Sequence, residues 1–258
     1  MSLINSVITS DNLELLHQIE DNYINVIYCD ILFGVGVKYD EYTDLKLDYK
    51  SFTEFYFERF KEFKRVLKED GSLFIHTSKM TSHWVRILLD EIFGIELFQH
   101  EIIWSFNSAP RKKNHLGSRH ESILHYTKSK DYYFDENSVR EKYSDTAPKT
   151  YAKAKYYNPL GKVMGDVWNI NMLAQNDKKE RNGYPSQKPL ELLNRIILMS
   201  SKKNDLVADF FCGSGTTLVS AYQNDRNYLG CDINKNAVEL TKQRLLKIER
   251  RKICHQMT

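Results

Sequence analysis

No apolar run in this chain approaches the roughly 20 residues of a membrane-crossing helix, so no such helix is expected. The cysteines Cys29, Cys212, Cys231 and Cys254 form no Cys-x-x-Cys pair. Neither a zinc ribbon nor a disulfide framework is therefore expected, and they read as reduced thiols of an intracellular protein. The first twelve residues place no cluster of positive charge ahead of an apolar segment, and no signal peptide is expected. The histidines lack metal-ligand spacing, so no metal site is expected, and packing is the simpler account of His76 and His83. Internal repeats and low-complexity tracts are also missing. What remains, 258 residues at 41% hydrophobic and 28% charged, is the composition of a globular chain that folds around a sizeable core.

Charge is scarce in net terms, +3 overall, but unevenly placed. Residues 106–165 hold 12 Lys and Arg against 6 Asp and Glu, while the remainder holds 25 against 28. A basic segment on a near-neutral body suits a polyanionic partner, and equally a solvated surface.

Short apolar stretches alternate with longer helical patterns, the signature of a parallel sheet with helical crossovers. Strands are expected at 5–9, 25–29, 72–77, 101–105, 122–126, 206–210 and 228–232. Helices are expected at 13–20, 51–67, 81–93, 189–200, 216–223 and 237–250. Residues 131–165 are polar, rich in Tyr and Lys and without clear periodicity, and read as an insertion. The fold class expected is α/β, a doubly wound, mostly parallel Rossmann-like sheet with helices on both faces.

The sharpest stretch is Asp209-Phe-Phe-Cys-Gly-Ser-Gly-Thr-Thr217, a strand end, a Gly-x-Gly turn and a helix start. Gly213 and Gly215 permit a tight turn and let a ligand approach the backbone. The Gly-Lys-Ser/Thr ending of a phosphate loop is absent, as is the third glycine of the dinucleotide fingerprint. Nineteen residues past Gly213 the next strand ends at Asp232, where a carboxylate suits a ribose diol. A second stretch, Tyr28-Cys-Asp-Ile-Leu-Phe33, carries an acid at the mouth of an apolar strand, a costly position unless something there uses it. Alone, Asp30 would be a turn cap and Phe33 simple core.

Together these stretches resemble the β group of S-adenosylmethionine-dependent DNA amino-methyltransferases, in which the catalytic motif precedes the cofactor motif. The resemblance spans nearly the whole chain. Asp30-Ile-Leu-Phe33 stands where that family has Asp-Pro-Pro-Tyr/Phe, and Tyr184-Pro-Ser-Gln-Lys-Pro189 is similar to its Pro-Thr-Gln-Lys-Pro. Asp209 to Thr217 is similar to its Asp-Pro-Phe-x-Gly-x-Gly-Thr-Thr, with Phe210 in place of proline. Gly71–His76, Glu101–Trp104, His120–Tyr126 and Gly165–Trp168 match in the family's order.

The resemblance implies a catalytic half over 1–105, a basic target-recognition insertion over 106–165 and a cofactor-binding half of the same domain over 166–258. It implies S-adenosylmethionine as cofactor, held by Asp11, Ser186, Lys188, Asp209, Phe211, Gly213, Gly215, Thr216 and Asp232. Asp11 is equally readable as a helix N-cap, and Lys188 as a surface lysine before a helix. Catalysis is expected from Asp30 and the Ile31 carbonyl as acceptors for the two protons of an exocyclic amine. Phe33 is expected to stack a flipped base, worth ~1–3 kcal/mol. Two acceptors draw the nitrogen towards tetrahedral geometry and disperse the charge that develops. Ile31-Leu32 lacks the stiffness of two prolines.

Within the insertion, Arg111, Lys112, Lys113, Asn114 and Arg119 are expected to contact DNA phosphates or base edges. An Asp at the head of the catalytic motif favours adenine N6 as the target in duplex DNA. N4-cytosine or RNA methylation, or a catalytically degenerate DNA-binding homologue, are the alternatives. The expected setting is the cytoplasm of a prokaryote, or a phage-encoded protein. Self-association is usual in the group, and any DNA cutting would belong to a separate restriction endonuclease.

Overall fold

The computed structural model describes residues 3–33, 48–107, 113–143 and 157–256. The elements run β1 (Ser6–Thr9), α1 (Asn12–Leu16), β2 (Ile24–Asp30), α2 (Tyr49–Val66), β3 (Leu67–Thr77), α3 (Ser82–Phe93), β4 (Phe98–Ser105) and β5 (His120–Thr127). They continue through β6 (Arg140–Glu141), β7 (Lys162–Val163), β8 (Val167–Asn169), α4 (Leu190–Ser200), β9 (Leu206–Asp209), α5 (Thr216–Gln223), β10 (Asn227–Asp232) and α6 (Lys235–Gln256).

Eight strands form one sheet in the order β1-β10-β9-β2-β3-β5-β4-β8. From β1 to β3 every pairing is parallel, β5 runs antiparallel to both β3 and β4, and β8 pairs parallel with β4. The sheet is therefore mostly parallel, as the alternating pattern implies. Among the described residues no helix is long and apolar enough to cross a membrane.

The central parallel strands β2 and β9 are buried on both faces, which is why β2 reads as a nearly unbroken apolar run. Ile27, Cys29 and Ile31 point into a core shared with α1, α2 and α3. Val26 and Tyr28, offset by one, point into a second core with α4. Helix α2 contributes Phe52, Tyr56, Phe60, Phe63 and Val66, whose spacing of three and four lays one aromatic stripe on the sheet. Phe63 stacks on Phe210 with ring centroids 5.3 Å apart, so the residue standing where relatives have proline is a core side chain. On the opposite face α5 and α6 close a third cluster around Leu218, Val219, Val238 and Leu245.

Several element boundaries differ from the sequence pattern. The helix expected at 13–20 stops at Leu16, where the backbone tightens to bonds three residues back, Gln18 N to Leu15 O and Ile19 N to Leu16 O, each 3.0 Å. Arg65 then satisfies the Leu16 and Ile19 carbonyls, both at 2.8 Å. The strand expected at 72–77 begins at Leu67, directly after α2. The strand expected to include Phe210 ends at Asp209. β8 and the β6–β7 ribbon, two or three residues per strand, are too short to leave a periodic signal.

Segment 106–165 is not wholly separate from the sheet, because β5 within it fills the place between β3 and β4. Among the described residues of the segment, those before His120 and those after Thr127 lie outside the eight-stranded sheet, and residues 108–112 and 144–156 fall outside the described ones.

The connections out of β2 and β9 diverge. α2 carries the chain from β2 to β3 on one side, and α5 carries it from β9 to β10 on the other. That reversal opens a crevice at the carboxyl ends of the strands, where ligands of open α/β sheets bind. Phe63→Ala removes the ring that ties α2 to the chain just after β9, and should lower unfolding stability by about 3–5 kcal/mol in a urea titration.

Candidate active site

Four neighbouring strands deliver a carboxylate to this crevice. Asp30 is the last residue of β2, Asp209 of β9 and Asp232 of β10, while Asp11 follows β1. They line one cavity of about 250 Å³ together with Tyr184, Ser186, Lys188, Phe55, Phe211, Gly213 and Thr216. Lys188 is its only cationic lining side chain among the described residues, so the cavity favours a ligand that carries positive charge.

The turn between β9 and α5 is fixed by its own acids. Asp209 accepts from Phe211 N at 3.0 Å and from the Thr217 hydroxyl at 2.6 Å. Burial pushes its carboxyl up to about 7, against the pull of those two bonds. Asp232 accepts from Gly213 N at 2.8 Å and from Asn234 N at 2.9 Å, which ties the turn to the neighbouring strand tip. Gly213 and Gly215 adopt φ of +47° and +74°. A Cβ on Gly215 would strike Thr241, whose hydroxyl holds the Gly213 carbonyl at 2.9 Å. Only glycine fits that conformation and that contact.

Asp11 does cap α1, accepting from Leu13 N at 2.8 Å, and its other oxygen meets Arg59 at 2.9 Å. Buried Arg59 also grips Asn12 Oδ1 at 2.6 Å, and Asn12 donates to the Phe210 carbonyl at 3.0 Å. Asp11 thus caps a helix and faces the cavity at once.

The segment bearing Ser186 and Lys188 is stapled by Gln187, which accepts from Asn182 N and donates to the Glu180 carbonyl, each at 2.9 Å. Glu180 in turn accepts from Leu190 N at 2.6 Å, at the start of α4. Lys188 is directed to the end of β2, where it donates to Asp30 Oδ2 at 2.7 Å and lies 3.7 Å from Glu121 Oε2. Burial opposes charge on Lys188, but Asp30 and Glu121 more than offset it and its pKa is raised. Burial likewise opposes charge on Glu121, yet Lys188 and then His76 hold its carboxyl at about 2.

Behind these groups His76 is wholly buried, paired in register with Asp30 across β2 and β3. Its Nδ1 lies 2.7 Å from the Tyr28 hydroxyl. Its Nε2 lies 2.8 Å from Glu121 Oε2, but out of line for a hydrogen bond. Burial raises the Tyr28 pKa well above the ordinary phenol value, so the phenol keeps its proton. Asp30 Oδ1 is itself buried and has no hydrogen-bond donor among the described residues. One oxygen of Asp30 is held by Lys188 and the other is open to accept.

Ile31 continues the ladder beyond β2, its N–H donating to the His76 carbonyl at 3.1 Å, with its side chain in the core. The Leu32 carbonyl accepts from Tyr56 OH at 3.2 Å. Phe33 lies beside the cluster, its ring 5.5 Å from Lys188 Nζ and 6.4 Å from the His76 ring centre. Residues 34–47, which follow, fall outside the described ones.

Of the expected nucleic-acid residues, the described ones are not among those lining the cavity. Lys113, Asn114 and Arg119 are exposed on the connection between β4 and β5, whose base is closed by Phe106 N to Arg119 O at 3.0 Å. Arg111 and Lys112 lie outside the described residues.

Sequence reasoning did not identify Tyr28, Glu121, Arg59 or Tyr184 as site residues, and it read His76 as packing. Polar side chains at strand tips were the available signal: His76 ends the apolar run of β3, and Glu121 opens β5. Both align with Asp30 only once strand order is known.

The described geometry agrees with the outcome of comparison with known proteins. Residues 24–243 match the family model for DNA methylases of the N6/N4 type. The chain is 32% identical to the DNA adenine methyltransferase YhdJ of Escherichia coli (strain K12), over 93% of this chain and 82% of that protein. It is 30% identical to the type II methyltransferase M.HpaI of Haemophilus parainfluenzae, over 93% of this chain and 73% of that protein. Among solved structures, the cytosine-N4-specific PvuII DNA methyltransferase superposes with a TM-score of 0.70 at 19% identity, covering 93% of this chain and 85% of the other. The M1.HpyAVI–SAM complex superposes with a TM-score of 0.61 at 22% identity, covering 93% and 98%. With strand order, strand-end acids and family model in agreement, the chain belongs to the N6/N4 DNA methylase family.

Proposed function

We propose that the protein methylates the exocyclic N6 amine of adenine in duplex DNA, with S-adenosylmethionine as methyl donor. The observation that carries this reading is Asp30 Oδ1, a buried acceptor without a donor among the described residues, at the mouth of a cavity lined by four aspartates. The residues present fit the cofactor. Asp232 at a strand tip suits the ribose hydroxyls, and the Gly213–Gly215 turn offers close approach to backbone. Phe211 and Tyr184 offer apolar faces, and the carboxylate surplus favours a sulfonium. When bound, S-adenosylmethionine supplies a methyl group activated by that sulfonium.

The chain's own residues then handle the amine. The adenine N6 lone pair is delocalised into the ring, so the free amine is a weak nucleophile. Hydrogen bonding to Asp30 Oδ1 and to the Ile31 carbonyl would localise the lone pair and favour in-line approach. As the nitrogen gains its new bond it becomes cationic, and the Asp30 carboxylate stabilises that charge and accepts the released proton. Phe33 supplies the face for a base turned out of the duplex. The identity of YhdJ, 32% identical and named as an adenine enzyme, supports adenine over cytosine. Exposed Lys113, Asn114 and Arg119 suit contacts to the phosphate backbone on either side of the target.

Three outcomes test the reading. Asp30→Ala should reduce incorporation of labelled methyl into duplex DNA by at least about 100-fold at saturating cofactor; near-normal transfer would reject the role given to Asp30. DNA from a methylation-free host expressing the chain should yield N6-methyladenine by mass spectrometry, and N4-methylcytosine instead would replace the assignment of base. Duplex affinity should fall steeply with salt, with Lys113→Ala lowering the slope of log K against log salt by about 1.

A further inference from the structure

Lys188 does not sit as a free cation in the cofactor cavity. It is buried between two carboxylates on different strands, Asp30 at the end of β2 and Glu121 at the start of β5, at 2.7 and 3.7 Å. Side-chain exposure is 12% for Lys188, 20% for Asp30 and 18% for Glu121, so water screens these charges weakly. The other groups that face Asp30 are His76 from β3, its Nδ1 3.9 Å from Oδ1, Tyr28 and Cys29 from β2, and Asp209 from β9. Tyr28 and Cys29 are neutral, because burial raises both well above their ordinary values. Among the described residues, Lys188 is the single lysine or arginine paired with Asp30.

The arrangement poses a problem of charge. An acceptor for an amine proton must be ionised before the reaction and must not be so tightly paired that it cannot accept. A lysine bound to Asp30 alone would meet the first requirement and work against the second. Glu121 divides the hold of Lys188, and the His76 edge limits where Glu121 can turn.

We propose that Lys188 and Glu121 are positioning residues that set the ionisation of Asp30: Lys188 keeps it charged with Oδ1 free, and Glu121 tempers that pairing. The proposal rests on Asp30 being the acceptor, as argued above, and departs from a role for Lys188 in holding the cofactor's carboxylate. On this account the second acid is supplied by a strand inside the basic segment.

The sign of each substitution follows. In Lys188→Met two carboxylates face each other with no cation, so protonation becomes easier and ionisation requires higher pH. In Glu121→Gln Lys188 pairs with Asp30 alone, so ionisation persists to lower pH. In the double variant both a positive and a negative charge are gone, and the balance returns towards that of the native site.

The test is a carboxyl titration by carbon NMR on protein labelled at aspartate, with the Asp30 signal assigned through Asp30→Asn. It is run beside pH profiles of methyl transfer and calorimetric titration with S-adenosylmethionine. In Lys188→Met the Asp30 midpoint and the acid limb of the rate should rise by about 1–3 pH units, with cofactor affinity within about twofold of native. Glu121→Gln should move both downward, and Lys188→Met/Glu121→Gln should return them towards the native values. A large loss of cofactor affinity with an unmoved midpoint would overturn the proposal in favour of a cofactor ligand. Loss of activity at every pH without movement, or a double variant no closer to native than Lys188→Met, would overturn it in favour of a packing role. If Lys188→Met does not fold, the downward shift in Glu121→Gln decides alone. The NMR midpoint needs no turnover, so an inactive native protein would reject the adenine assignment while leaving this inference to be judged.

Discussion

Negative charge gathered at one edge of the sheet is the constraint from which the rest of this structure follows. Parallel strands end together, and four of them end in or near aspartate, within a cavity of about 250 Å³. Carboxylates so close and so poorly hydrated repel one another and lose solvation. Each is stabilised differently. Asp232 is held by backbone N–H groups, and Asp11 by a helix start and Arg59. Asp209 is held by an amide and a hydroxyl, with its carboxyl pushed up to about 7 by burial. Among the described residues, Asp30 alone has a side-chain ammonium on one oxygen and no hydrogen-bond donor on the other. The acid left incompletely satisfied is the one proposed as acceptor for the amine.

The same edge explains how a loop with Ile31-Leu32 in place of two prolines keeps its shape. Proline would restrict the unfolded chain, and its absence costs about 0.4–1 kcal/mol per site. Proline at position 31 would also lack the N–H that donates to the His76 carbonyl. Ile31 therefore exchanges ring rigidity for a ladder bond and a buried side chain, and Tyr56 anchors the next carbonyl. His76, whose carbonyl receives that bond, is also the ring against which Tyr28 and Glu121 settle. The backbone that orients Asp30 and the side chains around it are thus parts of one unit.

Much of this was legible in the residues. The Gly-x-Gly turn, Asp232 nineteen positions later and the apolar run into Asp30 each carry a local signal, because backbone conformation and strand burial act over a few residues. The aromatic stripe of α2 has the helical period. What stayed hidden depends on juxtaposition. Glu121 and Lys188 are 67 positions apart and meet only because β5 inserts between β3 and β4. His76 looks like a core histidine because it is one, and its second use follows from its register partner. The shortening of α1 was equally invisible, since Arg65, which satisfies its final carbonyls, lies some fifty residues away.

Strand order also connects the basic segment to the chemistry. The exposed Lys113, Asn114 and Arg119 lead without a break into β5, and Glu121 stands two residues past Arg119. The hairpin base, Phe106 N to Arg119 O, holds that approach in register with β4, where Trp104 packs edge-on against His76 at 5.5 Å. On the function proposed, a phosphate drawn to Arg119 would lie two residues from an acid that shares Lys188 with Asp30. One short strand segment would then face the polyanion at one end and the reacting amine at the other.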